Sequence, residues 1–378
     1  MDASVEVTAS PPQEGVPLTH VGGRRLHVID LFRFAAAALV LGYHVVAPSD
    51  VWQADTGQLF TYPFRQFFRY GWMGVEFFFI ISGFVICMSA WGRTVADFFV
   101  SRFARLMPAY VLAVLATTAL LASLPWGEPP TTPQVLVNLA MLQGLLGYPH
   151  IDSVYWTLLV ELKFYFLFTF VILFGLSYRR AIVFCVVWLA GAQIALATGD
   201  KHLTILLEPR YASYFVAGIA LHLMYRFGPD PLLWCLVAVS WLLGAASLDG
   251  RINELVGVGE RVNFGTALPL MTTFYLVMLA ATLGWLSRVR WRGLVHIGAL
   301  TYPVYLLHKP FSHAVIHEFH HRVPALLLLG CTVAGVLALA YAVHRLVERP
   351  LAPLVRKGLR ASLRWMRLAP ASSPGHQA

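Results

Sequence analysis

Charge is what this sequence has least of. Asp, Glu, Lys and Arg together make up 12% of its 378 residues, against roughly 25% in an ordinary soluble domain. So few charged side chains cannot cover a water-facing surface, which excludes one large soluble domain. Cysteine is scarce as well. Cys87, Cys185, Cys235 and Cys331 all fall in apolar stretches, at spacings that match neither a zinc site nor a disulfide framework. They are expected to be buried packing residues, since a free thiol behaves as a small hydrophobe. A cleavable leader is missing too: residues 1–25 are polar, contain Pro and Gly, and carry acidic residues where a signal would be basic. They read as a disordered cytoplasmic lead-in. No internal repeat and no second, soluble domain is visible.

Apolar residues are what is there, at 58% of the chain, gathered into long blocks. That is the pattern of an all-α, polytopic transmembrane helical bundle. A window of about 19 residues predicts about ten spanning helices, over 28–47, 71–91, 104–125, 154–176, 180–198, 204–226, 231–248, 264–286, 294–316 and 323–345. A shorter apolar stretch, 135–147, follows three prolines and is too short to cross, so a re-entrant or interfacial helix is expected there. The division is thus 1–25 as lead-in, 26–350 as membrane domain and 351–378 as a basic tail.

The net charge of +9 does not point to nucleic acid, because the basic residues sit in short loops and in the tail. With the N-terminus inside, 18 of the 28 Lys and Arg residues fall on the cytoplasmic side and six on the other. The remaining four, Arg33, Lys163, Arg210 and Lys309, lie within spans. A three-to-one bias places both termini in the cytoplasm. In the tail, Arg356, Arg360 and Arg364 recur beside Leu359, Leu363 and Trp365, the pattern of a basic amphipathic helix on a lipid surface.

Ionisable residues inside a bilayer are costly and mark function by default. Arg33 and His44 in the first span are about 16 Å apart along a helix and share nearly one face, so both can line one cavity. In the fourth span Thr157, Glu161 and Tyr165 recur every four residues. That puts Glu161 at a depth similar to His44, where a carboxylate can orient an imidazole. Glu76 is a third outer-half titratable group. Arg102 and Arg105, at i and i+3, suit a phosphate-bearing ligand. In the ninth span Tyr302, Tyr305 and His308 form a polar stripe. Plainer readings stand beside each: an interfacial packing histidine, a structural partner for a buried cation, positive-inside anchoring, and an aromatic packing stripe. Lys163 points away from Glu161 and has no evident role.

Taken together, these segments resemble the acyltransferase-3 family of integral membrane O-acyltransferases. VIDLFRFAAAALVLGYH resembles its first span, with ten residues between Arg33 and His44. GWMGVEFFFIISGF (71–84) is similar to its second-span signature and holds Glu76 and Ser82. FFVSRFARLMPAY (98–110) contains the R-x-x-R of Arg102 and Arg105, and VYWTLLVELKFY (154–165) contains Trp156, Thr157 and Glu161. LTYPVYLLH (300–308) and VERP (347–350) resemble its C-terminal elements. The matches come in order from about residue 26 to 350. Glu76 stands where Asp is usual and Thr157 where Ser is usual, which keeps the charge and the hydroxyl.

The resemblance implies transfer of a short acyl group, commonly acetyl, from acyl-CoA to a hydroxyl of a carbohydrate or glycosylated acceptor, in the inner membrane of a bacterium. No cofactor is expected to be tightly bound and no metal is expected. Arg33, Arg102 and Arg105 would bind the donor. His44, assisted by Glu161, would be general base or transient acyl carrier. Glu76, Ser82, Trp156, Thr157, Tyr302, Tyr305 and His308 would line the cavity or the acceptor site. No esterase domain follows the bundle, so a stand-alone member is expected.

Two other classes compete. His317, Glu318, Phe319, His320 and His321 read H-E-x-x-H, a zinc-protease pattern, and Leu248, Asp249 and Gly250 resemble the L-D-G element of intramembrane proteases. That element, however, precedes the histidines instead of following them. A transporter would also carry buried titratable groups, but no inverted repeat is visible.

Overall fold

The computed structural model describes residues 26–47, 49–257, 260–289, 291 and 293–368. The expected lead-in 1–25, and residues 369–378 of the tail, lie outside the described residues. Among the described residues every regular element is a helix.

Among the described residues ten long helices form the bundle: α1 (His27–Val46), α2 (Gly74–Ala90), α3 (Val95–Ser123), α4 (Trp156–Leu173), α5 (Tyr178–Thr198), α6 (Pro209–Phe227), α7 (Pro231–Gly257), α8 (Phe264–Thr282), α9 (Gly293–Phe319) and α10 (Ala325–Val343). A further helix, α11 (Arg349–Leu368), follows through a five-residue π turn, His344–Glu348. Among the described residues eight segments are long and apolar enough to cross a membrane, those holding α1 to α5, α7, α8 and α10. The count of eight differs from the ten expected because α6 and α9 do not reach that apolarity. Both interrupt their apolar residues with His, Tyr, Ser, Lys or Arg, and both are packed inside the bundle. Almost every residue of α6 from Tyr211 to Met224 is buried. The apolar side chains that remain exposed belong to the perimeter, such as Val183, Val187 and Ile194 on α5 and Leu326 and Leu327 on α10. An apolar belt of this kind faces lipid.

Helix lengths also depart from the hydropathy windows. Helix α3 starts at Val95, capped by the Thr94 hydroxyl, which accepts from the Asp97 backbone N–H at 3.1 Å. Arg102 and Arg105 therefore lie two to three turns inside a helix instead of at its mouth. Helix α7 runs on through Asp249 and Gly250 to Gly257, held by ion pairs in which Glu254 takes both Arg210 and Arg251. The stretch 135–147 forms two short helices, Thr132–Leu139 and Gln143–Leu146, with Leu136, Leu145 and Leu146 exposed. Of the cysteines, Cys87 and Cys185 are buried as expected. Cys235 and Cys331 are exposed, because they fall on the outward faces of α7 and α10, where apolar character serves lipid contact instead of a core.

Close approaches set the arrangement. Gly83 of α2 and Gly218 of α6 face each other, and a Cβ on either would collide with the opposite backbone. On α9, Gly298 makes room for Asp30 of α1, since a Cβ there would stand about 2.6–2.8 Å from that side chain. Helices α1 and α9 lie side by side in the same direction, so Gly298 meets Asp30 near one end and His308 meets His44 near the other. The end of the bundle that carries Arg93, Arg226 and α11 is called the basic end below, and the opposite end, with residues 50–70 and 124–155, the loop end.

Candidate active site

Two cavities follow one another through the bundle between α1, α2, α4 and α9. The one nearer the basic end, about 90 Å³, is lined by Arg33 of α1, Ser82 of α2, Arg102 and Arg105 of α3, Thr157, Glu161 and Tyr165 of α4, and Thr301, Tyr302 and Tyr305 of α9. Three guanidinium groups face a single lining carboxylate. That carboxylate is already engaged: Ser82 Oγ and the Tyr165 hydroxyl both donate to Glu161 Oε1 at 2.6 Å. Arg102 Nε is buried without a hydrogen-bond partner. A buried donor left unmade is expensive, and an anionic ligand would satisfy it. Tyr302 is fixed by donation to the Leu106 carbonyl at 3.1 Å.

The second cavity, about 200 Å³, lies toward the loop end. It is lined by Tyr43 and His44 of α1, Trp72 and Glu76 around the start of α2, Trp156 of α4, Tyr211 of α6, Arg251 of α7 and Tyr305 of α9. Trp156 and Tyr211 pack with ring centroids 5.2 Å apart and planes tilted by 35°. Glu76 Oε2 and Trp72 Nε1 are both buried without a partner, so one acceptor and one donor stand unsatisfied in the same wall. A hydroxyl can serve both roles. Tyr305 and Val75 line both cavities. The Tyr305 hydroxyl is held 2.7 Å from Thr157 Oγ1 and donates to the Val154 carbonyl at 3.1 Å, so this side chain forms a pinned partition between them.

The structure brings Arg33, Arg102, Arg105, Ser82, Thr157, Glu161, Tyr302 and Tyr305 to one cavity, and His44, Glu76, Trp156 and Tyr305 to the next. It does not bring Glu161 to His44. Glu161 lines the first cavity among the arginines, whereas His44 lines the second, toward the loop end. The ring that meets His44 is His308, with Nε2 3.1 Å from His44 Nδ1. His308 is 1% exposed and lines neither cavity, so it is not the cavity-lining residue expected of it.

Several site residues escaped the sequence reading. Arg251 looked like loop charge beyond the seventh span; its spacing of three from Glu254 is the only local sign of a helix there. Tyr211, Trp72 and Tyr43 gave no signal apart from aromaticity. Glu348, inside the VERP segment, accepts from or pairs with His344 Nδ1 at 2.7 Å and stands within electrostatic reach of Arg33 and Arg105. Lys163, without a role in the sequence, pairs with Glu208 at 2.5 Å.

The H-E-x-x-H segment does not assemble. Helix α9 ends at Phe319, so His317 and His321 are not one turn apart on a helical face. His317 packs on Trp126 with ring centroids 4.1 Å apart, and Glu318 pairs with Arg322 at 3.5 Å. Among the described residues no group of three His, Cys, Asp or Glu side chains is placed to hold a metal ion. Asp249 of the L-D-G element lies within α7 and accepts from Asn253 at 3.3 Å.

No curated protein and no solved structure matches the chain. A family model described as "Acyltransferase domain" matches residues 26–345, a range that takes in both cavities, the R-x-x-R pair and the helix carrying His44, and by that match the chain belongs to the acyltransferase-3 family of membrane acyltransferases.

Proposed function

We propose that this acyltransferase moves a short acyl group, commonly acetyl, from an acyl-CoA thioester to a hydroxyl of a carbohydrate or glycosylated acceptor. One observation carries the reading: a cavity lined by three arginines lies next to a cavity lined by His44, with Tyr305 and Val75 in the walls of both. Arg102 and Arg105 suit the donor's phosphates, because guanidinium groups bind them bidentately, and Arg33 stands by the buried arm of the donor. The acceptor side is the second cavity, where Trp72, Trp156 and Tyr211 offer ring faces and Glu76 offers an acceptor oxygen.

His44 serves as general base. It takes the proton of the acceptor hydroxyl, whose oxygen then bonds to the thioester carbonyl carbon. The carbon–sulfur bond breaks, and the departing thiolate receives the proton from His44. With the basic end in the cytoplasm, in the inner membrane of a bacterium, the donor is drawn from the side where coenzyme A is made. The remaining partners are the lipid bilayer and the acceptor; nucleic acid has no place in this scheme.

The test is incubation of membranes carrying the protein with labelled acetyl-CoA, followed by mass spectrometry of the labelled product. Wild type is expected to label a glycan or glycosylated product. His44→Ala, inserted at the same level, is expected to label none. Normal transfer by well-expressed His44→Ala protein would overturn the assignment.

A further inference from the structure

The two imidazoles of His44 and His308 are tied at both ends to backbone carbonyls. His44 Nδ1 stands 2.9 Å from the Val40 carbonyl oxygen, one helical turn back. His308 Nδ1 stands 2.8 Å from the Tyr305 carbonyl oxygen. A carbonyl oxygen can only accept, so each Nδ1 carries a proton. Between them, His308 Nε2 faces His44 Nδ1 at 3.1 Å. Two N–H groups cannot point at each other across that distance, so His308 Nε2 must be the bare, accepting nitrogen. His308 is therefore neutral, and the His44 Nδ1–H is shared between Val40 and His308. The nitrogen of His44 left to meet the acceptor is Nε2, unprotonated.

We infer that His308 is the positioning residue of the reaction: it holds His44 in the tautomer whose Nε2 is free to take a proton, and its own lone pair stabilises the imidazolium that forms. This inference rests on the reading of His44 as the base. It assigns to a neutral imidazole the orienting part that a buried carboxylate often plays, and that the sequence suggested for Glu161. The surroundings favour a neutral His308. It is 1% exposed, with Lys309 one residue on and His313 donating to the His44 carbonyl at 3.0 Å. The partner ring is also held from the α1 side: the bonds that fix α1 beyond His44 include Trp52 Nε1 donating to the Val45 carbonyl at 2.7 Å.

The test combines a spectrum with kinetics. In full-length protein carrying ¹⁵N-histidine and held in lipid nanodiscs, the His44 signals, identified by their loss in His44→Gln, are expected to show a protonated Nδ1 and a bare Nε2. His308→Phe, which keeps bulk but offers no acceptor, is expected to lower kcat about 10²-fold with KM for donor and acceptor within about twofold. Its acid limb in the pH–rate profile should move to lower pH, because the imidazolium of His44 has lost a stabilising partner. His308→Gln, whose side-chain oxygen can accept the same proton, is expected to recover most of kcat and of the limb position.

A His44 signal protonated at Nε2 would overturn the inference, as would equal activity of the Phe and Gln variants with an unmoved limb. If His308→Phe fails to insert, the spectrum of wild type and the pH profile of His308→Gln still decide it. Failure of the underlying reading looks different: active His44→Ala protein would remove His44 as base while leaving its tautomer as described.

Discussion

Lys163 sits on α4 among apolar neighbours, with its ammonium 2.5 Å from the carboxylate of Glu208 and both side chains less than one-fifth exposed. The pair joins α4 to the start of α6, where Glu208 adopts a left-handed backbone with φ of 45°. Removing one member leaves the other as an unpaired buried charge, a loss of a few kcal/mol. Lys163→Met is therefore expected to lower stability by about 2 kcal/mol, read as a fall in Tm of purified protein. Lys163→Met combined with Glu208→Gln should restore most of it. Equal loss in the single and double variants would contradict the pairing. In the sequence Lys163 had no role because its partner is 45 positions away, in what read as a span. The same limit applied to His44. Its spacing to Arg33 suggested one shared cavity, whereas the two line successive cavities and the ring beside His44 lies on α9. Glu161 was matched to His44 from helix spacing alone, whereas its carboxylate takes Ser82 and Tyr165 and the ring beside His44 is that of His308.

At the scale of elements, hydropathy located the helices well where they face lipid and less well where they do not. Helix α7 continues nine residues past its apolar window, because Glu254 neutralises Arg210 and Arg251 and lets a charged turn remain helical. That extension delivers Arg251 to the second cavity. Helix α6 was visible in the sequence as a span, yet it is a core element, buried nearly all round. Its crossing with α2 depends on Gly83 and Gly218, where no Cβ can be accommodated without moving backbone. Small residues at such crossings let helices approach closely. Gly218→Leu is expected to abolish stable insertion, and Gly218→Ala to cost about 1–3 kcal/mol through overpacking, both read by detergent-resistant fluorescence of a tagged protein. Wild-type thermal behaviour of Gly218→Leu would show that the crossing is not where the bundle is tightest. This crossing matters to the site, because α2 carries Ser82 to Glu161 and Glu76 to the second cavity.

Across the whole molecule, the cavity lined by Arg33, Arg102 and Arg105 and the cavity lined by His44 follow one another along the bundle. The family was legible because its motifs occur in order along the chain, and the bundle was legible because so little of the sequence can face water. The division into two cavities was not, since it depends on Tyr305, whose hydroxyl is pinned by Thr157 of α4 and by the Val154 carbonyl just before it, some 150 residues earlier in the chain. In this account the arginine cavity binds and the histidine cavity reacts. Equilibrium binding of acetyl-CoA to purified protein in nanodiscs separates the two roles. His44→Ala should bind the donor within about threefold of wild type while transferring nothing, whereas Arg102→Gln with Arg105→Gln should weaken binding by at least about tenfold, the loss of one charge-assisted hydrogen bond or more. Wild-type donor affinity in the double arginine variant, or loss of donor binding in His44→Ala, would contradict the two-cavity account.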